Sequence, residues 1–147
     1  GARSGFSALK NGGTFSISTF TANKTTEAAI DKTLEVVDRL HANGIDEKSL
    51  SSAKNYVKGQ FPPRYETTGQ LSRLLTQMFW YDLDKSFIND FEKNVDGLDL
   101  AKANQIIAKY FPKDKFQFVL VGKASEIKKI AEKYGKVTVV DIKDGLK

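Results

Sequence analysis

The fold class of this chain is indicated most clearly by Asn11-Gly12-Gly13-Thr14-Phe15-Ser16-Ile17-Ser18-Thr19-Phe20. Its Asn-Gly pair is the strongest short-range signal for a β-hairpin. Beyond the turn, apolar and polar residues alternate, which places Phe15 and Ile17 on one face of a strand. Phe6 and Leu9 supply the apolar residues before the turn. The stretch therefore predicts two strands joined by a tight turn, in a sheet with one covered face.

Downstream of the hairpin, the spacing between apolar residues changes to three and four, which is the period of an α-helix. The first helix is predicted over residues 26–43, with Thr25 or Thr26 as its cap and Gly44 at its C-terminal stop. Further helices are predicted from Asp46 to just before Gly59, and over residues 68–82, 85–94, 99–110 and 125–133.

Two of these helices carry apolar residues whose burial follows from their spacing. The second, with Asp46 as its N-cap, is predicted to turn Leu50, Ala53 and Val57 inward. The third, over residues 68–82, is so rich in apolar side chains that most of its circumference is predicted to be buried.

The end of the chain reads as strand, helix, strand. The continuous apolar run within residues 116–121 predicts a buried strand, and residues 137–142 predict a last strand. A crossover of this kind either makes part of the sheet parallel or leaves the last strand at an edge. Together with the hairpin, the sequence predicts an α+β fold in one domain over residues 1–147.

Composition excludes several classes of site. The 147 residues include no cysteine, so the chain has no disulfide framework, no thiolate zinc site and no cysteine nucleophile. No window holds the roughly 18 consecutive apolar residues of a membrane span. The net charge of +5 is compatible with binding to nucleic acid or to acidic peptides. Because the lysines are spread along the helical patterns, we favour a solvated surface and expect no nucleic acid partner.

The single histidine restricts metal and nucleophilic chemistry. Zinc peptidases place two histidines one helical turn apart, and His41 is the only histidine in the chain. It lies near the end of the first helix, so we interpret it as structural. A Ser-His-Asp arrangement would lack its Gly-x-Ser-x-Gly elbow, and Gly122-Lys123 lacks the spacing of a phosphate loop. We therefore assign no catalytic residue and no metal ligand.

Two stretches each allow two interpretations. The aromatic cluster Phe79-Trp80-Tyr81 suits core or subunit packing better than stacking on bases, because it ends an amphipathic helix and has few basic neighbours. The run from Pro62-Pro63-Arg64-Tyr65 to Thr68 is interpreted as a rigid connection, with Thr67 or Thr68 capping the next helix, rather than as a loop that contacts substrate.

Several short motifs in register resemble one family, the pitrilysin or insulinase family of zinc metallopeptidases. They are Gly1-Ala2-Arg3-Ser4 with Gly12-Gly13-Thr14-Phe15, Thr25-Thr26-Glu27-Ala28, Gly44-Ile45-Asp46-Glu47-Lys48-Ser49-Leu50, Gly59-Gln60-Phe61-Pro62 and Tyr65-Glu66-Thr67-Thr68. The closing Phe118-Val119-Leu120-Val121-Gly122 fits the end of the same domain. Their order is similar to that of the inactive, C-terminal-type domain, and the resemblance covers nearly the whole chain.

The resemblance implies a mitochondrial-processing-peptidase-like metallohydrolase domain. Such a domain has a mixed, largely antiparallel sheet covered by helices on one face, and this chain is expected to lack its first strand and helices. In the family, related domains enclose a chamber, and one domain carries the inverted zinc motif H-x-x-E-H. The implied role is non-catalytic: the segment helps to form the chamber and to position extended peptides. The alternative is an inactive scaffold or assembly subunit of a larger complex.

The resemblance also implies which groups lie elsewhere. Zinc is expected in a partner domain or subunit, and this chain alone is expected to be inactive. The Arg and Tyr with which related domains contact substrate are expected upstream of Gly1, and Arg64 and Tyr65 do not replace them because their spacing differs. Expected partners are the zinc-bearing domain or subunit, peptide substrates and a second copy in a dimer. Bacterial relatives are often periplasmic, but these residues indicate no compartment and no substrate-binding residue.

Overall fold

The computed structural model describes residues 1–144, which form one two-stranded sheet and seven α-helices. In chain order the elements are β1 (Arg3–Leu9), β2 (Gly12–Ser18), α1 (Thr26–Asn43), α2 (Glu47–Gln60), α3 (Thr68–Trp80), α4 (Ser86–Asn89), α5 (Phe91–Asp96), α6 (Leu100–Tyr110) and α7 (Ala124–Ala131). Two 3-10 turns, Asn23–Thr25 and Pro62–Tyr65, precede α1 and α3. The class is therefore mixed α and β, as predicted.

The chain divides into two compact units. The first contains residues 1–7 and 14–39 and the described part of 112–147; the second contains residues 8–13 and 40–111. The hairpin and α1 each run from one unit into the other along the chain. Whether the chain is a single partial domain stays a prediction.

The hairpin forms where the sequence predicts it, with its turn one residue earlier than expected. Lys10 and Asn11 connect the strands, and β2 begins at Gly12. The φ of Gly12 is 152°, a value that residues with a Cβ rarely adopt, which explains a glycine at this position. Phe15 and Ile17 are half-buried while their neighbours in β2 are exposed, so the predicted one-sided face is confirmed.

In the first unit, α1 and α7 supply the buried apolar residues Ile30, Val37 and Ile127. The bounds of α1 are those predicted, and the cap at Thr25 or Thr26 stays a prediction. The hydroxyl groups of Thr25 and Thr26 both donate to the carbonyl of Ala22, at 3.0 and 3.5 Å. These two bonds tie both side chains to the 3-10 turn that precedes α1.

The second unit has a small core from three helices, made by Leu50, Leu74, Ala103 and Ile107. Asp46 caps α2 as predicted, accepting from the amide of Ser49 at 2.7 Å. Of the three residues expected to face inward on α2, only Leu50 is buried; Ala53 and Val57 are exposed. Periodicity places these residues near one face of α2, but the described residues cover only part of that face.

Helix α3 differs from the prediction in both length and burial. It ends at Trp80 rather than at residue 82, because Asp82 has a φ of 55°, which a helix cannot continue. Leu74 is buried, but Leu71, Leu75 and Phe79 are exposed, so the prediction that most of its circumference is buried is wrong. These three exposed residues are spaced by four and form one apolar face, which we call the α3 stripe.

The two strands predicted near the end of the chain are absent from the described residues. Residues 116–121 and 137–142 have no assigned strand or helix, and the sheet holds only β1 and β2. A strand requires backbone hydrogen bonds to a neighbouring strand, and these segments make none among the described residues. Their one backbone hydrogen bond to a described residue joins Asp144 to Asp141. The first segment is also exposed rather than buried. The larger mixed sheet is therefore not formed here.

The remaining helices follow the sequence with small changes. The helix predicted over residues 85–94 is split at Asp90 into α4 and α5. Asp99 caps α6 by accepting from the amide of Lys102 at 2.7 Å, which confirms a carboxylate at this helix start. The seventh helix, α7, ends two residues before the predicted end.

Candidate functional site

The turn of the hairpin is fixed to the end of α3, within the second unit. Lys10 Nζ lies 5.5 Å from the centroid of the Trp80 ring, donates to the Trp80 carbonyl at 3.3 Å and lies 3.6 Å from a carboxylate oxygen of Asp82. The Tyr81 hydroxyl donates to the Ala8 carbonyl at 3.3 Å. Four contacts, all made by Ala8 and Lys10, hold the turn in place.

Helix termination makes this anchor possible. The last carbonyl groups of a helix have no partner within the helix and attract cations. The positive φ of Asp82 turns the chain away after Tyr81, which leaves the Trp80 carbonyl open to the Lys10 ammonium group. Two residues of the aromatic cluster at 79–81, Trp80 and Tyr81, therefore bind the residues at the hairpin turn.

The hairpin offers a sheet edge to a further strand. Residues in an antiparallel strand direct their amide and carbonyl alternately toward the partner strand and away from it. The Ala8 carbonyl accepts from Tyr81, so the backbone amide and carbonyl of Ala8 point away from β2. By alternation, the backbone groups of Phe6 and Ser4 also point away from β2. No third strand pairs with β1 in the described part of the chain, and all seven of its residues are exposed. An extended peptide can add to such an edge through main-chain hydrogen bonds.

His41 lies away from any cluster of ionisable groups. Its Nε2 atom is buried with no hydrogen-bond partner among the described residues, next to a cavity of about 200 Å³ that Gly44, Asn104 and Ile107 also line. Residues 1–144 contain no group of three or more His, Asp or Glu side chains that can hold a metal ion. The structural interpretation of His41 stays a prediction.

The Pro62 to Thr68 run connects two helices, as interpreted from the sequence. Tyr65 packs edge-on against Phe61, with ring centroids 5.0 Å apart, and Phe61 stacks on Phe91 at 3.6 Å. Thr67 caps α3 in a capping box: its hydroxyl accepts from the Gln70 amide at 3.3 Å, and the Gln70 side chain accepts from the Thr67 amide at 2.9 Å. The run is thus held by packing and capping.

Lys123 belongs to the Gly122-Lys123 pair, which was compared above with the end of a phosphate loop. Its ammonium group pairs with Glu126 at 2.8 Å, and Asn23 donates to the other oxygen of the same carboxylate at 2.7 Å. These two donors, Lys123 first, hold the pKa of Glu126 below its usual value. The lysine therefore neutralises a carboxylate of its own helix.

A polar cluster joins α1 to the residues after α7, and sequence reasoning missed it. The Tyr134 hydroxyl donates to Asp31 at 2.6 Å, and Lys133 pairs with Glu27. The hydrogen bond to Asp31, with desolvation as a smaller cause, raises the pKa of Tyr134 to about 12. The partners are 103 residues apart or more, so no local pattern could have identified them.

Within residues 1–144, no helix is both long enough and apolar enough to cross a membrane. Comparisons with protein-family models, with curated proteins and with solved structures gave no match to this chain. What the geometry contributes to a functional assignment is therefore an anchored hairpin with an open edge, and an exposed apolar face on α3.

Proposed function

We propose that the chain is a non-catalytic part of a pitrilysin-type zinc metallopeptidase that helps to form the peptide chamber and positions extended peptide substrates. In this proposal the chain is part of a mitochondrial-processing-peptidase-like domain. The zinc ion and its H-x-x-E-H ligands belong to a partner domain or subunit. The proposal rests on the motifs that resemble the family and on the geometry of the hairpin.

The observation that carries the proposal is the open edge of β1 on an anchored hairpin. A substrate strand that adds to this edge is held by its backbone, which suits an enzyme that accepts many sequences. The contacts of Lys10 and Tyr81 fix the turn before substrate arrives, so less conformational freedom is lost on binding. The hairpin therefore positions the peptide, and the partner supplies the chemistry.

In this proposal the partner performs the hydrolysis and this chain binds the substrate. A zinc ion held by the partner would supply an activated water for peptide hydrolysis. The single histidine, His41, lies in the second unit beside apolar side chains and Asn104, and it takes no part in this step. The residues of this chain bind and orient the substrate backbone.

Replacing Ser4 by proline tests the proposal in the zinc-loaded parent protein with its partner. Proline removes an outward amide of β1 and leaves the ladder to β2 intact. We expect kcat/KM for an unstructured peptide to fall about three- to tenfold, the value of one hydrogen bond. Ser4→Ala removes only the side-chain hydroxyl and is expected to cleave at the native rate.

Two results would oppose the proposal in different ways. Failure of the zinc-loaded parent to cleave any unstructured peptide in a chelator-sensitive manner would remove the peptidase assignment. Chelator-sensitive cleavage with Ser4→Pro as active as Ser4→Ala would keep the peptidase and remove the role of the β1 edge.

A second candidate function, an inactive scaffold or assembly subunit, is favoured by the α3 stripe. Leu71, Leu75 and Phe79 form an apolar face on one helix, and Phe79 is 86% exposed. Trp80 lies beside this face, but it also contacts Lys10, so a Trp80 variant would disturb the hairpin as well. Phe79 is the better position for a test because its side chain is almost fully in solvent.

For a scaffold, Phe79→Ala should abolish association with the partner subunit, as measured by analytical ultracentrifugation. Stability of the isolated chain should not change, since little apolar surface of Phe79 is buried. Lys48→Ala, an exposed change on α2, serves as the control. Intact assembly of the Phe79→Ala variant would count against the scaffold role.

A further inference from the structure

A groove lies between the two apolar segments at the end of the chain, within the first unit. Its volume is about 520 Å³, within the range of roughly 300–1,000 Å³ found for binding cavities. It is lined on one side by residues 116–120, on the other by residues 135–140, and at its base by α7. Apolar residues that line it include Phe116, Leu120, Ile127, Ala131, Val137 and Val139.

Exposure along the first segment alternates with a period of two. Phe118 and Leu120 are 41% and 36% exposed, whereas Val119 and Val121 are 87% and 91% exposed. This alternation is the pattern of a β-strand with one face against a helix. The exposure of this segment therefore alternates as in a strand, although the sheet formed by the described residues does not contain it.

Both walls of the groove present backbone groups suited to strand pairing. Within residues 1–144, the amides of 116–121 and 137–142 donate no backbone hydrogen bond to another segment. Both segments are rich in β-branched and aromatic residues, which favour strands. An extended peptide in the groove would therefore have a segment with unpaired amides on either side, and main-chain pairing is the usual way in which an extended peptide binds at a sheet edge.

The charge of the groove indicates which peptide fits. Lys128 and Lys136 line it, and no Asp or Glu belongs to its described lining. The only carboxylate paired with either lysine in the described ion pairs is Glu132, which lies 3.9 Å from Lys128. An occupant that carries a carboxylate beside its apolar residues would complement these two ammonium groups.

From these observations we infer that the groove is a strand-addition site for an extended segment of a separate, acidic polypeptide. The segment alternates apolar residues with carboxylate-bearing ones and completes a three-stranded arrangement with residues 116–121 and 137–142. Apolar side chains of the segment contact Leu120, Ile127 and Val139, and its carboxylates lie at Lys128 and Lys136. The inference stands independently of the peptidase proposal, since it uses neither the hairpin nor zinc.

A second copy of this chain fits the groove less well. Its two hairpin strands, residues 3–9 and 12–18, contain no Asp or Glu, so they offer no carboxylate to the groove lysines. The net charge of +5 also makes two copies repel each other. Self-association through this groove is the rival outcome that the test must separate.

The test uses the full chain and a synthetic peptide of about ten residues in which Val alternates with Glu and Thr. We expect the peptide to bind, with amide hydrogen exchange slowed at residues 116–121 and 137–142. The control peptide has the same sequence with alternate amides methylated, which removes the donors of one edge. We expect this control to bind at least about tenfold more weakly, because several main-chain hydrogen bonds are lost.

A pair of protein variants with equal charge separates the groove from general electrostatics. Lys128→Glu with Lys136→Glu changes the groove, whereas Lys48→Glu with Lys102→Glu makes the same net change on α2 and α6. We expect the first pair to weaken peptide binding about tenfold and the second pair to change it little.

Three results would overturn the inference. They are absence of binding, equal binding of the methylated peptide, and slowed exchange that falls outside the two segments. Concentration-dependent dimerisation with slowed exchange at these segments in the absence of peptide would instead assign the groove to a second copy. None of these results depends on cleavage of a substrate, so the peptidase proposal is tested separately.

Discussion

At the scale of single residues, Gly44 shows how far a sequence signal reaches. The sequence predicts it as the stop of α1, and the structure confirms this: its φ is 64°, and its amide donates to the Leu40 carbonyl at 2.9 Å. A second reason for a glycine was not predictable. A Cβ at this position would clash with the side-chain oxygen of Asn104. That contact depends on a helix 60 residues away in sequence, which no local pattern reports.

The pair of Tyr134 and Asp31 predicts a specific dependence of stability on pH. The pKa of Tyr134 rises from 10 to about 12 on folding, so the folded chain keeps the phenol proton after the unfolded chain has lost it. The stabilisation is therefore complete below pH 10 and is lost as pH rises toward 12. Urea unfolding across this window should show a decline in the free energy of unfolding.

Tyr134→Phe provides the comparison for this decline. The variant lacks the phenol, so its free energy of unfolding should fall less across the same pH window, while other tyrosines contribute equally to both proteins. Asp31→Asn should lower the pKa of Tyr134 toward its ordinary value, and ultraviolet absorbance of the phenolate measures this change. An equal decline in native protein and Tyr134→Phe would show that the Asp31 contact does not form in solution.

At the scale of secondary structure elements, the capping box of α3 makes a quantitative prediction. Thr67→Ala removes the side-chain acceptor for the Gln70 amide and should lower the free energy of unfolding by about 1 kcal/mol. Thr67→Ser keeps the hydroxyl group and should lose only a few tenths of that. Urea denaturation of the two variants measures the difference. Equal stability of both variants would mean that the α3 start is held by the packing of Phe61 and Tyr65 instead.

Helices were predictable from the sequence because their determinants are local. The starts of α2 and α6 follow from Asp46 and Asp99, which accept from amides three residues later. Strands depend on partners that are distant in sequence. The hairpin was predictable because its partner is adjacent, whereas residues 116–121 and 137–142 have apolar strand sequences and no ladder.

Burial was the least predictable property of the elements. Periodicity identifies which residues of a helix share a face, but it does not say whether another part of the chain covers that face. Leu74 and Leu75 are adjacent in α3, yet the first is buried and the second is exposed. The difference depends on which parts of the second unit cover α3, and the period does not contain this information.

At the scale of the whole molecule, three surfaces stay exposed where a self-sufficient domain would bury them. They are the outer edge of β1, the α3 stripe and the groove beside α7. The sequence resemblance predicts a chain that positions extended peptides, a role that the outer edge of β1 suits. The anchor at Lys10, Trp80 and Tyr81 was not foreseen, because the aromatic cluster was interpreted as core or subunit packing. All three surfaces have the chemistry of contact with other polypeptide.

We propose that this chain is the non-catalytic part of a zinc peptidase, and the composition of the native protein decides between this role and that of a scaffold. Intact mass and peptide mapping of the native protein, together with any subunit that co-purifies with it, would show which other segments accompany this chain. We expect an H-x-x-E-H segment in the same polypeptide or in the co-purifying subunit, with bound zinc. If the native protein and its co-purifying subunits contain neither that motif nor zinc, the peptidase assignment is contradicted and the scaffold role is favoured.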